Sequence, residues 1–147
     1  MRNYDLKDKS KNNVSYLSPL VARRIITEQE IVTSVLKRHK FKDIEKFIYE
    51  VYWRSYWRGF LESHPKIYSD YKIDLSNLIE HTNSKNYTSA INGNTGIECF
   101  DFWVQELSIS GYLHNHVRMW FASIWIFTLK MPWQLGADFF IRNLLDA

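Results

Sequence analysis

Four polar side chains, His114, Asn115, His116 and Arg118, stand between Gly111 and an aromatic run from Trp120 to Phe127. Two imidazoles, an amide and a guanidinium at the mouth of an apolar helix are costly to bury unless a polar ligand or partner meets them. The cluster therefore marks a site. His114 and His116, two apart on the expected helix, point away from one another and make no metal-ligand pair. A second constellation, Glu50, Trp53, Arg54, Trp57 and Arg58, falls at i, i+3, i+4, i+7 and i+8 and shares one helix face. Exposed Trp and Arg at that spacing can stack a base and grip a phosphate. The same spacing also suits two core tryptophans rimmed by arginines. Ser15 and Ser18, ahead of Pro19, put hydroxyls at a helix start, where they can cap the helix or donate to phosphate oxygens.

These residues need helices to hold them, and the pattern supplies little else. Residues 1–12 alternate charges and Asn without periodicity and read as an N-terminal arm. Ser18 and Pro19 make an N-cap and first-position pair, and Thr27 with Glu30 forms a capping box ahead of Ile31, Val32, Val35 and Leu36. Apolar residues from Ile44 through Phe47, Ile48, Val51 and Tyr52 predict a long helix from Asp43 to about Glu62, closed by Pro65. Residues 66–94 read mostly as loop, with a short helix around Leu75 to His81. A second capping box, Thr95 and Glu98, starts a helix that Gly111 terminates. Another helix spans about His114 to Lys130, and Pro132 occupies the first turn of a last one through Leu145. The fold class is all-α.

The 147 residues suffice for one core. Aromatic residues make up 16% of the chain, which suits either the enclosure of a flat ring system or a core of large side chains. Trp120 and Trp125 read as core aromatics. The single cysteine, Cys99, excludes an internal disulfide and a thiolate metal site, and with no apolar leader segment a reducing, cytoplasmic setting is expected. The longest apolar run, Met119 to Leu129, is too short to cross a bilayer and reads as a buried helix, so no membrane partner is expected. Residues 1–46 hold 11 Lys and Arg against 6 Asp and Glu, and residues 47–147 hold 8 against 10. That asymmetry suits a polyanion-facing surface or a solvated basic arm.

The segment Gly111-Tyr-Leu-His-Asn-His-Val-Arg-Met119 resembles the signature of the DNA photolyase/cryptochrome family, with Tyr112 in place of the usual Trp. The resemblance extends in order over Asn13 to Pro19, Glu50 to Arg58, Thr95 to Asp101 and Trp133 to Asp146. It implies a multi-helical FAD-binding domain over residues 13–147, with FAD as cofactor and damaged DNA carrying a pyrimidine dimer as partner. The implied activity is light-driven electron transfer from reduced flavin to the dimer, and a cryptochrome-like blue-light sensor or an inactive remnant are the alternatives. The family's cofactor-holding positions correspond here to Val14, Ser15, Leu17, Ser18, Phe47, Arg54, His114, Asn115, Arg118 and Asp146. Those touching DNA correspond to Glu50, Trp53, Arg54, Trp57 and His116, with Glu50, Trp53 and Asn115 nearest the reaction. Arg118 and Asp146 are expected to pair beside the flavin ring, or simply to tie two helices together. His116 stands where many photolyases carry a DNA-contacting Arg. Asn115 and Met119 occupy positions that are both His in the branch repairing (6-4) photoproducts, so the resemblance speaks against that chemistry.

Trp133 matches the middle member of the family's electron-transfer tryptophan chain. No outer member is evident near Glu80, and the innermost would lie past residue 147. Ala147 falls on the Gly of an Asp-Gly-Asp segment, so the resemblance also implies an incomplete domain without the family's N-terminal antenna domain. A second polypeptide supplying the missing parts fits that expectation.

Overall fold

A computed structural model describes residues 14–147; the arm over 1–12 and Asn13 of the first matched segment lie outside the described residues. Among the described residues the regular structure is helical and no strand forms. In order come α1 (Ser18–Ala22), α2 (Glu28–Leu36), α3 (Phe41–Ser63), α4 (Pro65–Asn77), a 3-10 turn (Ile79–Asn83), α5 (Lys85–Ile91), α6 (Glu98–Ser110), α7 (Asn115–Ser123), a π turn (Ile124–Thr128) and α8 (Trp133–Asn143).

Local chemistry explains most boundaries. Thr27 Oγ1 accepts from Glu30 N at 3.2 Å while Glu30 Oε2 accepts from Thr27 N at 2.8 Å, the reciprocal box that starts α2. Gly111 ends α6 in the left-handed region at φ 66°, where its N–H bonds to Leu107 O. Other boundaries differ from expectation. Ser18 is already helical, with Leu17 in the cap position and no side-chain cap. Thr95 and Glu98 make no box; Ile97 caps α6, and the Thr95 and Gly96 amides and the Thr95 hydroxyl all donate to Asp101 instead. That carboxylate, in the first turn of α6, satisfies three donors at once.

Pro65 opens α4 rather than a loop. Its fixed φ and missing N–H suit a first helical turn, and Ile67, Tyr71 and Leu75 recur at helical spacing. Ser84 accepts from Tyr87 N and starts α5, so the polar residues read as loop serve in part as caps. Pro132 stands one place earlier than expected, at the cap of α8.

The main core is a ring cluster inside α5, α6, α7, the π turn and α8, centred on Phe100, Phe121, Trp125, Leu135 and Phe139. The π turn adds a residue to the helical repeat, and the Trp125 it carries is sealed in the core with its indole N–H donating to Pro132 O at 2.9 Å. Trp120, expected in the core, keeps 44% of its surface exposed and stacks on Trp103 at 6.1 Å. A smaller buried set, Val21, Ile31, Val32 and Ile48, joins α1, α2 and α3.

Candidate functional site

Between these two apolar sets lies a cleft of about 550 Å³, within the 300–1,000 Å³ usual for ligand sites. One wall is α3, whose Phe47, Glu50, Val51 and Arg54 fall at i, i+3, i+4 and i+7 on one stripe. The loop Val14–Ser18 and Val21 of α1 form a second wall, with Ile31 of α2 behind. Tyr112, Asn115 and Arg118 at the start of α7, with Asp146, form the third.

The third wall depends on Gly111. Its left-handed turn lets the chain end return, where Leu145 N donates to Gly111 O at 2.9 Å and Leu145 packs over the missing Cβ. Asp146 is thereby set against Arg118. The guanidinium Nη2 donates to Asp146 Oδ2 at 3.0 Å, and Nε donates to Leu113 O at 2.9 Å. Arg118 also lies 5.7 Å from the Tyr112 ring centre. Tyr16, at φ 53°, packs its ring 4.9 Å from that of Tyr112 and closes the loop side.

Asp146 is 6% exposed, so burial by itself would raise its pKa. Hydrogen bonding from Arg118, the Ser18 hydroxyl and the guanidinium charge outweigh that, and hold the carboxyl below its ordinary value. Its Oδ1, also buried, makes no well-aligned hydrogen bond among the described residues. Burial raises the Tyr112 phenol, against an opposing pull from Arg118.

The structure thus brings together Val14, Ser15, Leu17, Ser18, Phe47, Glu50, Arg54, Asn115, Arg118 and Asp146. Other candidates stand elsewhere. Trp53 and Trp57 flank the cleft stripe on an exposed face, their rings stacked 6.2 Å apart. Arg58 meets Glu62 at 3.6 Å. His114 caps α7, its Nδ1 accepting from His116 N at 3.2 Å. Because His114 is not yet helical, the two imidazoles stack at 5.4 Å rather than diverge. Among the described residues no group of three His, Cys, Asp or Glu could hold a metal. Trp133 does not line the cleft and lies 5.8 Å from the buried ring of Tyr71. The sequence reading missed Tyr16, Val21, Ile31, Val51 and Tyr112 as cleft residues; only Tyr112, inside the polar motif, carried a local signal.

An all-α domain whose cleft joins two guanidinium groups, two carboxylates, serine hydroxyls and aromatic walls is a holder of a large ligand with flat and anionic parts. The chain belongs to the family described as the FAD binding domain of DNA photolyase, whose profile matches residues 47–147. FAD is the cofactor of that family. The chain is 28% identical to a deoxyribodipyrimidine photo-lyase of Buchnera aphidicola, over 99% of this chain and 32% of the relative. It is 27% identical to the mitochondrial deoxyribodipyrimidine photo-lyase of Saccharomyces cerevisiae, over 86% of this chain and 24% of the relative. Cryptochrome-1 of Arabidopsis thaliana matches at 27% identity, over 72% of this chain and 16% of that protein. The chain therefore spans about a third or less of these relatives' length. No solved structure matches it significantly.

The residues present fit FAD. The buried, open acceptor at Asp146 Oδ1 suits a ring or ribose donor, and Arg54 with the 14–18 loop suits a pyrophosphate. No helix among the described residues is long and apolar enough to cross a membrane.

Proposed function

We propose that the chain holds FAD in the cleft between the 14–18 loop, α3 and α7, as part of a photolyase acting on cyclobutane pyrimidine dimers in DNA. The observation that carries this reading is the Arg118–Asp146 pair, 3.0 Å long, set in the cleft wall with an acceptor oxygen still open. When bound, FAD supplies the light-driven electron transfer. Arg118 holds a fixed positive charge at the wall, kept in place by Leu113 O and Asp146, and so needs no reorganisation as negative charge develops nearby. Ser15, the Ser18 backbone amide and Arg54 bind the phosphates. Asn115 offers both an amide donor and an acceptor at the mouth. Glu50, on the cleft edge, accepts from a base, and Trp53, one turn on, stacks it.

The purified chain mixed with FAD and passed through gel filtration is expected to keep the flavin absorbance. Arg118→Ala and Asp146→Ala should each weaken retention at least tenfold. A helical chain that keeps no flavin would overturn the reading. The match to cryptochrome-1 favours a second reading, a light sensor that holds flavin without repair. Blue-light repair of a dimer-containing oligonucleotide separates the two, since a sensor leaves the dimer intact.

A further inference from the structure

We infer that Tyr16 is a positioning residue that clasps the 14–18 loop across the cleft and sets how fast flavin leaves it. The inference rests on the flavin reading of the cleft. Among the described residues other than glycine, Tyr16, Arg24 and Lys130 have left-handed backbones, at φ 53°, 56° and 54°. Arg24 follows α1 and its cap Arg23, and Lys130 follows the π turn and its cap Leu129, where a left-handed residue is an ordinary helix stop. Tyr16 lies ahead of α1 and stops no helix. That backbone disfavours a residue with a Cβ by roughly 5- to 30-fold, so something beyond the backbone holds Tyr16 there.

A closed circuit of side chains does so. The Tyr16 ring packs 4.9 Å from that of Tyr112, whose ring centre lies 5.7 Å from the Arg118 guanidinium. Arg118 donates to Asp146 at 3.0 Å, and Asp146 accepts from the hydroxyl of Ser18. The circuit leaves the loop at Tyr16 and returns to it at Ser18, so it pins the loop to the α7 wall on both sides of Leu17. The donors proposed for the phosphates sit on this pinned stretch. Its two ties differ in strength. Ser18 ends on a buried carboxylate, whereas Tyr16 keeps 46% of its surface in solvent. A ring pair shifts an equilibrium by about two- to tenfold, the same order as the opposing backbone preference. The Tyr16 end therefore stands near balance and opens first, as strained residues at ligand clamps do.

The test uses the full chain with FAD, its association and release rates read separately by flavin fluorescence. Tyr16→Ala keeps the backbone strain without the ring and should speed release about tenfold, while association changes about twofold at most. Tyr16→Gly removes the strain as well as the ring, so release should quicken only about threefold. Tyr16→Phe keeps the ring and should keep release near the wild-type rate. On a Tyr112→Ala background the Tyr16→Ala step should shrink to about twofold or less, because both remove one contact. In the flavin-free chain, amide exchange over residues 14–18 should accelerate in the same order of variants. A tenfold step that persists on the Tyr112→Ala background overturns the clasp, as does a loss confined to association. Flavin held by the wild type and released no faster by Tyr16→Ala, at intact helicity, removes the clasp alone. A wild-type chain that keeps no flavin removes the proposed function, and the clasp with it.

Discussion

Two aromatic clusters in this chain use the same ring types to opposite ends. Around Trp125 the rings are sealed, with Phe100 and Phe121 4.4 Å apart, Trp125 5.9 Å from Phe121, and its N–H satisfied by Pro132 O. Along α3 the rings lie at comparable spacing, yet stand half in water. The surroundings make the difference: α5 to α8 and the π turn enclose the first cluster, whereas α3 packs on α2 and meets α4 at its end. Ring chemistry does not assign a tryptophan to core or surface. The number of elements that close over it does.

The comparison breaks most sharply at Trp125. Trp125→Ala removes a fully buried indole and leaves Pro132 O without its donor, so it should cost about 3–5 kcal/mol in urea denaturation. A loss under about 1 kcal/mol would mean that the cluster is not closed.

Arg118→Ala comes next. Asp146 would be left as a buried carboxylate without its partner, and Arg118 keeps a quarter of its surface in solvent, so about 3 kcal/mol is expected, the low end for a half-broken buried pair. Asp146 also sets a pH signature. Its folded pKa lies below the ordinary 3.8, so its stabilisation is complete above that value and fades as pH falls through the folded pKa. Asp101, held down by hydrogen bonds from Thr95 and Gly96 against the effect of burial, titrates in the same window. Asp146→Asn should therefore reduce the acid slope of stability without abolishing it. An unchanged slope below pH 4 would detach the pair from folding.

Gly111→Ala is a smaller perturbation with a local address. A Cβ at φ 66° costs about 1–2 kcal/mol, and it would meet Leu145 Cγ at 2.6 Å. Leu145 must move and carry Asp146 with it, so flavin retention should fall further than stability. Equal losses in both would contradict that coupling.

How much was legible follows the range of the interactions. The Thr27–Glu30 box and the Gly111 stop are set within four residues, and both form as read. The Thr95–Glu98 box loses to Asp101, six residues away, and Pro65 starts a helix because Tyr71 finds a buried place on α4. The cleft's α3 wall was half readable: spacing put Glu50 and Arg54 on one face, but Phe47 fell in the apolar pattern and was tied to the cofactor, like Arg118 and Asp146, only by a family resemblance. Val21, Ile31 and Val51 were not distinguishable from core residues, since an apolar side chain reads alike whether it faces protein or an open cleft. Tyr16 enters only through tertiary folding, where its left-handed backbone places the ring on Tyr112.

The smallest expected effect on stability sharpens the comparison most. Trp57→Ala removes an indole of the same size as Trp125, but one that is 53% exposed, so its stability change should stay within about 0.5 kcal/mol. An indole in water emits at longer wavelength than one in an apolar interior. Removing Trp57 should shift the folded chain's emission to the blue, and removing Trp125 should shift it to the red. A Trp57→Ala variant that loses several kcal/mol, or shifts to the red, would place the α3 rings in a second core rather than on a surface.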